Sequence, residues 1–284
     1  MATASRPPWG TFARMALAVS LMAGCREASP PPVVVPDVVA DSARAATEVR
    51  ALEVRADIAE PTGPFALVEG AGREDGPIAY ELIEPSNATP RTPIVVALHG
   101  MGDTPAGFAR LMRSIGVRAR YVVARGVLAW PEAGGFEWYD NDAGDAAVQI
   151  RARVHDLVTL ADQLATRFPE AGKPVLIGFS QGAAVVLQAA FDAPDRWRAV
   201  VGLSGFLASA SDPQTPTTDY PILVASGTED DRVAPKLSWF AAGWLEKVGH
   251  KDVRKLAFEG GHAVPHEVVD KVRALLAEVF APAS

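Results

Sequence analysis

Residues 174–191, PVLIGFSQGAAVVLQAAF, decide the fold. The stretch starts as a solid apolar run, the pattern of a strand buried on both faces, and resumes after Ser180 as an alanine-rich helix over 181–192. Three runs like it stand elsewhere, PIVVALHG at 93–100, AVVGLSG at 199–205 and PILVASG at 221–227. Between them Ile150, Val154, Leu157, Val158, Ala161, Leu164 and Phe168 recur at three- and four-residue steps, placing them on one helix face. Thr104 followed by Pro105 reads as the cap and first position of another helix, and 236–247 and 265–280 as the last two. Residues 65–69 and 78–83 are candidate antiparallel strands at the front. Strands alternating with helices, each strand continuously apolar, predict an α/β fold with a mainly parallel central sheet covered on both faces.

At the joint of the opening stretch, Gly178, Phe179, Ser180, Gln181 and Gly182 spell G-x-S-x-G. A serine on so tight a turn is held in strained backbone geometry, and glycines two places either side remove Cβ atoms that would clash there. A serine hydroxyl is a weak nucleophile at neutral pH, so a base within hydrogen-bond reach and a carboxylate to orient that base are required. Downstream, SGTEDDRVAP at 226–235 places Glu229, Asp230 and Asp231 past a strand end, with Asp230 preferred and Asp231 the runner-up. EGGHAVPHE at 259–267 places His262 in a glycine-preceded loop. Of the five histidines, His155 falls in a helical pattern, His250 in a charged turn expected at the surface and His99 in the loop upstream of the serine; His266, on the final helix, is the competitor, and His262 is preferred as the base because its loop can reach over the sheet edge. A tetrahedral oxyanion needs two backbone donors. The amide of Gln181, directly after the serine, supplies one, and that of Met101, in the loop His99–Gly100–Met101–Gly102–Asp103, the other.

The chain has 284 residues, with Lys plus Arg 27 against Asp plus Glu 34 and a formal charge of -7. That balance excludes a binder of nucleic-acid backbones, whose affinity rests on a surplus of positive charge. No cofactor motif and no Cys/His metal cluster occurs, so metal and cofactor are both expected to be none. At the amino terminus, Arg6 and Arg14 precede the apolar run MALAVSLMA at 15–23, the layout of an export signal. Met22, Ala23, Gly24 and Cys25 resemble the bacterial lipobox, in which a cysteine is diacylated and becomes the mature first residue, and Cys25 is the only cysteine. The following REASPPPVVVP at 26–36 has the composition of a tether. The expected organisation is therefore a signal peptide over 1–24, a lipidated cysteine and Pro/Ala-rich linker over 25–60 with a short helix at 43–57, and one catalytic domain over 61–284. Cleavage would take the charge from -7 to -9 by removing Arg6 and Arg14, so lipid and not electrostatic attraction would hold the domain at a membrane, on the periplasmic side or the outer membrane.

Taken together, LHGMGDT at 98–104, GFSQG at 178–182, LSGF at 203–206, SGTEDDRV at 226–233 and GGH at 260–262 resemble the phospholipase/carboxylesterase group of α/β-hydrolases, which includes the acyl-protein thioesterases. The resemblance covers roughly residues 90–280. It implies Ser180 as nucleophile, Asp230 and His262 as its partners, and the amides of Met101 and Gln181 as the oxyanion hole. Asp231 departs from the family, standing where proline is common. The segment 126–144, GVLAWPEAGGFEWYDNDAG, is similar to the family's W-[FY]-D loop, which implies Trp138 and Tyr139 as substrate contacts. The resulting expectation is a serine hydrolase of small carboxylic esters with short to medium acyl chains. Lysophospholipase or thioesterase activity is the alternative, and a surface-tethered binding protein that kept the fold and lost the chemistry is the alternative of another class.

Overall fold

The computed structural model describes residues 65–130, 134–210 and 218–281. The export signal, Cys25, the tether and the short helix expected at 43–57 lie outside these residues. The first pair of strands, β1 (Leu67–Arg73) and β2 (Tyr80–Pro85), is antiparallel, as the sequence predicts, with its bounds shifted by two residues or more. There follow β3 (Ile94–Leu98), helix α1 (Pro105–Ile115), β4 (Arg120–Ala124) and the small hairpin β5 (Leu128–Trp130) and β6 (Gly135–Glu137). The second half runs α2 (Ala146–Arg167), β7 (Val175–Phe179), α3 (Gln181–Asp192), a 3-10 turn over Pro194–Arg196, β8 (Ala199–Leu203), β9 (Ile222–Gly227), α4 (Pro235–Lys247), β10 (Val253–Phe258) and α5 (His266–Phe280).

Eight strands form one sheet in the order β1-β2-β4-β3-β7-β8-β9-β10. All pairs from β4 to β10 are parallel, and β2 pairs antiparallel to β4. Every residue of β3, β4, β7, β8 and β9 is buried, because strand alternation sends neighbouring side chains to opposite faces and helices cover both. Val95, Ala97 and Ile177 pack with Phe108 and Met112 of α1 and Val268 and Val272 of α5. On the other face Val96, Leu98 and Leu176 pack with Val154 and Leu157 of α2, Val186 of α3 and Ala242 of α4. No helix among the described residues is long and apolar enough to cross a membrane.

Helix α1 begins as its sequence predicts. Thr104 Oγ1 accepts from the amide of Gly107 at 3.0 Å, Pro105 opens the helix, and Gly116 closes it at φ 63, a left-handed conformation that glycine adopts without penalty. The sequence signals neither the hairpin strands β5 and β6 nor β4, whose apolar run is short and bounded by Arg120 and Arg125. Arg120 is nonetheless buried. Its guanidinium bonds Glu84 at 3.0 Å and the carbonyls of Thr92 and Thr89 at 3.0 and 2.9 Å, and it lies over the Phe168 ring at 4.3 Å. A charge can enter a core when its donors are satisfied in this way.

From β3 the chain crosses through α1 to β4 on one side, whereas β7 lies on the other side of β3. The order therefore reverses between β3 and β7, and parallel sheets place their binding crevice beyond the carboxyl ends of the strands at such a point. The loop after β3 and the turn after β7 both open there.

Candidate active site

Ser180 has φ 54 and ψ -118, and among the described residues only Ser180 and Ser204 are non-glycine residues at positive φ. Its amide donates to Leu203 O at 2.9 Å, which pins the turn to the end of β8. The flanking glycines have separate steric reasons. A Cβ on Gly178 would meet Gly182 O at 2.3 Å, closing the fold-back of α3 onto β7, and one on Gly182 would meet Leu98 O at 2.3 Å, holding α3 away from β3. Ser180 thus stands where helix α3 can run back against two central strands.

Two loops converge on it from the far side of the sheet. A Cβ on Gly227, at the end of β9, would meet the carbonyl oxygens of Gly260 and Gly261 at 2.4 Å, so the loop after β10 lies directly on the turn after β9. Thr228 N donates to Phe258 O and Glu229 N to Gly260 O, each at 2.9 Å. Ser180, Asp230 and His262 meet as a result, 82 and 32 residues apart in sequence. His262 Nε2 lies 2.9 Å from Ser180 Oγ, and His262 Nδ1 lies 2.8 Å from Asp230 Oδ2. An ionised carboxylate only accepts, so Nδ1 carries the proton and Nε2 is left to accept from the serine hydroxyl. The Phe179 ring, 4.8 Å from the imidazole between centroids, supports it from below.

Asp230 is 4% exposed, and its Oδ1 accepts from the amides of Arg232 at 3.0 Å and Val233 at 2.9 Å. Burial alone would raise its pKa. The hydrogen bond from His262, the charge that ring can carry and the Val233 amide outweigh burial, and the carboxyl lies below its ordinary value. Asp231 and Glu229 are exposed and point into solvent, so the structure brings Asp230, not the runner-up, to the imidazole. His155 and His266 are exposed as expected. His250 corrects the sequence reading: it is 6% exposed, with Nδ1 2.7 Å from Thr218 Oγ1 and its ring against Tyr220. Its charged neighbours Lys251 and Asp252 hid an inward turn.

The amides of Met101 and Gln181 donate to no protein acceptor among the described residues. Gln181 opens α3, where a helix leaves its first N–H groups unpaired and its dipole favours negative charge. The loop after β3 comes up beside it, since a Cβ on Gly100 would lie 3.3 Å from Ser180 Cβ. His99 holds this loop from within. Its Nε2 accepts from the Gly126 amide at 3.0 Å, which leaves Nδ1 to donate to Gly100 O at 2.6 Å. Burial pushes its pKa down to about 4, so the ring is neutral at physiological pH and braces the loop without adding charge.

Trp138 and Tyr139, expected to touch substrate, are 0% and 1% exposed. A ring without accessible surface packs and does not receive a ligand, and the expectation is corrected accordingly. Trp138 Nε1 donates to His99 O at 2.8 Å, so the indole is part of the wall behind the loop. Gln181, expected to contribute its amide alone, is 5% exposed, and its carboxamide is bonded as well. A polar side chain at the buried start of an apolar helix was the available signal.

Comparisons with known proteins give this geometry a context. The family model described as phospholipase/carboxylesterase matches residues 79–280. The chain is 26% identical over 223 residues to acyl-protein thioesterase 1 of Gibberella zeae, covering 69% of this chain and 94% of that protein. Among solved structures, a carboxylesterase from Mesorhizobium loti aligns with a TM-score of 0.61 at 21% identity, covering 76% of this chain and 99% of that one. The acyl-protein thioesterase 2 of Zea mays aligns with a TM-score of 0.57, also at 21%, over 71% and 99% of the two chains. At such identities the structural likeness speaks for the α/β-hydrolase fold alone.

Proposed function

Since the chain belongs to the phospholipase/carboxylesterase family, we propose that it is a serine hydrolase that cleaves carboxylic esters of short to medium acyl chains through an acyl-enzyme. The observation that carries the reading is the hydrogen-bonded series from Ser180 Oγ through His262 to Asp230, at 2.9 and 2.8 Å. Ser180 Oγ attacks the ester carbonyl while His262 Nε2 takes its proton, and Asp230 holds the tautomer and balances the imidazolium. The amides of Met101 and Gln181 receive the oxyanion, at a place where donors are already oriented before charge appears. Collapse expels the alcohol with the proton from His262. Water then repeats the attack on the acyl group, His262 again taking the proton, and the free acid leaves.

A fluorophosphonate probe tests this directly. Labelling mapped to Ser180 is the expected result, and an unlabelled wild-type protein would refute the hydrolase in favour of a binding protein on the same fold. The Gibberella relative favours thioesters as a second reading, because the same attack applies and a thiolate leaves more readily than an alkoxide. Turnover on a chain-length series of aryl esters, beside an acyl thioester and a lysophospholipid, ranks the three.

The mature domain is tethered to a membrane through diacylated Cys25 in this proposal, on the strength of the lipobox-like Met22–Cys25 and the proline-rich stretch after it. Metabolic labelling with palmitate should mark the wild type and leave Cys25→Ser unmarked. Equal labelling of both removes the anchor.

A further inference from the structure

The two candidate oxyanion donors belong to different elements, Met101 to the loop after β3 and Gln181 to the start of α3. Donors of this kind act only when held at one geometry, and a displacement of about 1 Å is enough to cost about 10²-fold in rate. A third segment, residues 135–139, bonds to both. On the loop side, Gly102 N donates to Phe136 O and Phe136 N to Asp103 O, each at 2.9 Å, and Trp138 Nε1 reaches His99 O at 2.8 Å. On the helix side, the carboxamide of Gln181 bonds the main chain through both its oxygen and its nitrogen. Its Oε1 accepts from Trp138 N at 2.9 Å, and its Nε2 donates to Tyr139 O at 3.0 Å. Gly135 fits under the loop only because it lacks a side chain, a Cβ there lying 2.0 Å from Gly102 O.

We infer that the Gln181 side chain is a positioning residue: through the 135–139 segment it locks the Met101 loop to α3 and so fixes the spacing of the two oxyanion donors. One residue therefore has two separable roles. Its amide faces the developing charge, and its carboxamide fastens the other donor. The inference rests on the hydrolase reading above, since without an oxyanion there is nothing to position.

The carboxamide can be changed while the amide stays. Gln181→Met keeps the length and leaves Trp138 N and Tyr139 O without partners in the core. Turnover should fall by about 10²-fold with KM nearly unchanged. The affinity for a trifluoromethyl ketone, which forms a tetrahedral oxyanion adduct on the serine, should fall in parallel.

Gln181→Glu supplies the decisive signature and guards against a Met variant that does not fold. When ionised, the introduced carboxyl sets negative charge against Tyr139 O. When protonated, it accepts from Trp138 N and donates to Tyr139 O, restoring both bonds. The ratio of variant to wild-type turnover should therefore climb as pH is lowered. A purely structural role would lower the melting temperature and leave that ratio flat. A flat ratio, or wild-type turnover and inhibitor affinity in either folded variant, overturns the inference. An inactive wild type would instead refute the hydrolase reading itself.

Discussion

Ser180→Ala is expected to lower turnover by about 10⁶-fold, because nucleophile, base and carboxylate act as one unit and removing one removes the route through the acyl-enzyme. Residual activity should come only from the oxyanion donors and from binding, which the substitution leaves in place. The same residue should behave differently in unfolding. At φ 54 a side chain at position 180 is strained whether it is serine or alanine, so Ser180→Ala should melt close to the wild type. Ser180→Gly should melt higher. Strain of this kind costs of order 1–3 kcal/mol, more than the roughly 0.5–1 kcal/mol that glycine's extra freedom in the unfolded chain takes back. Kinetics with a chromogenic aryl ester and calorimetry on the three proteins check both statements. A Ser180→Ala protein with ordinary turnover would show that the hydroxyl at the turn is not the nucleophile. A Ser180→Gly protein that melts lower would show that the turn stores no strain.

The opposed demands at position 180 explain why this part of the chain was legible in sequence. A buried strand, a forced turn and a helix each leave a local mark, and glycines at 178 and 182 are required by backbone oxygens within 2.3 Å of where their Cβ atoms would be. Strands β3, β7, β8 and β9 were readable for a related reason: a parallel strand covered on both faces must be apolar throughout. Where the deciding contact is distant in sequence, the reading fails. β4 is bounded by Arg120 and Arg125, and the burial of Arg120 depends on Glu84, Thr89, Thr92 and Phe168, partners 28 to 48 residues away. The aromatic pair at 138–139 was readable as important but not as buried, since its cover comes from His99 and Gln181 on other elements. His250 failed in the same way, a histidine among charges whose partner Thr218 lies 32 residues earlier. The order of serine, acid and histidine could be read because the fold fixes which strand ends face the crevice. The choice between two adjacent aspartates could not, because it depends on which way one turn rotates.

That choice gives the second large effect. Asp230→Asn is expected to lower turnover by about 10⁴-fold, and Asp231→Asn to change it by little. The carboxylate at 230 accepts from His262 Nδ1 and so keeps the proton off Nε2, whereas an amide can present its own N–H there and invert the tautomer. An imidazole protonated at Nε2 cannot take the proton of Ser180. Asp231 is exposed and has no such contact to lose. Unfolding supplies an independent reading. The carboxyl of Asp230 lies below its ordinary value in the folded protein, so its ionised form contributes stability above the unfolded pKa of about 3.9, and that contribution is lost as pH falls through the folded value. Asp230→Asn should therefore be less stable than the wild type at neutral pH, with the gap closing as the medium is acidified below the carboxylate range. If the loss of turnover followed Asp231→Asn instead, the imidazole would have to turn toward a side chain that stands in solvent, and the arrangement of the β9 turn described above would be wrong.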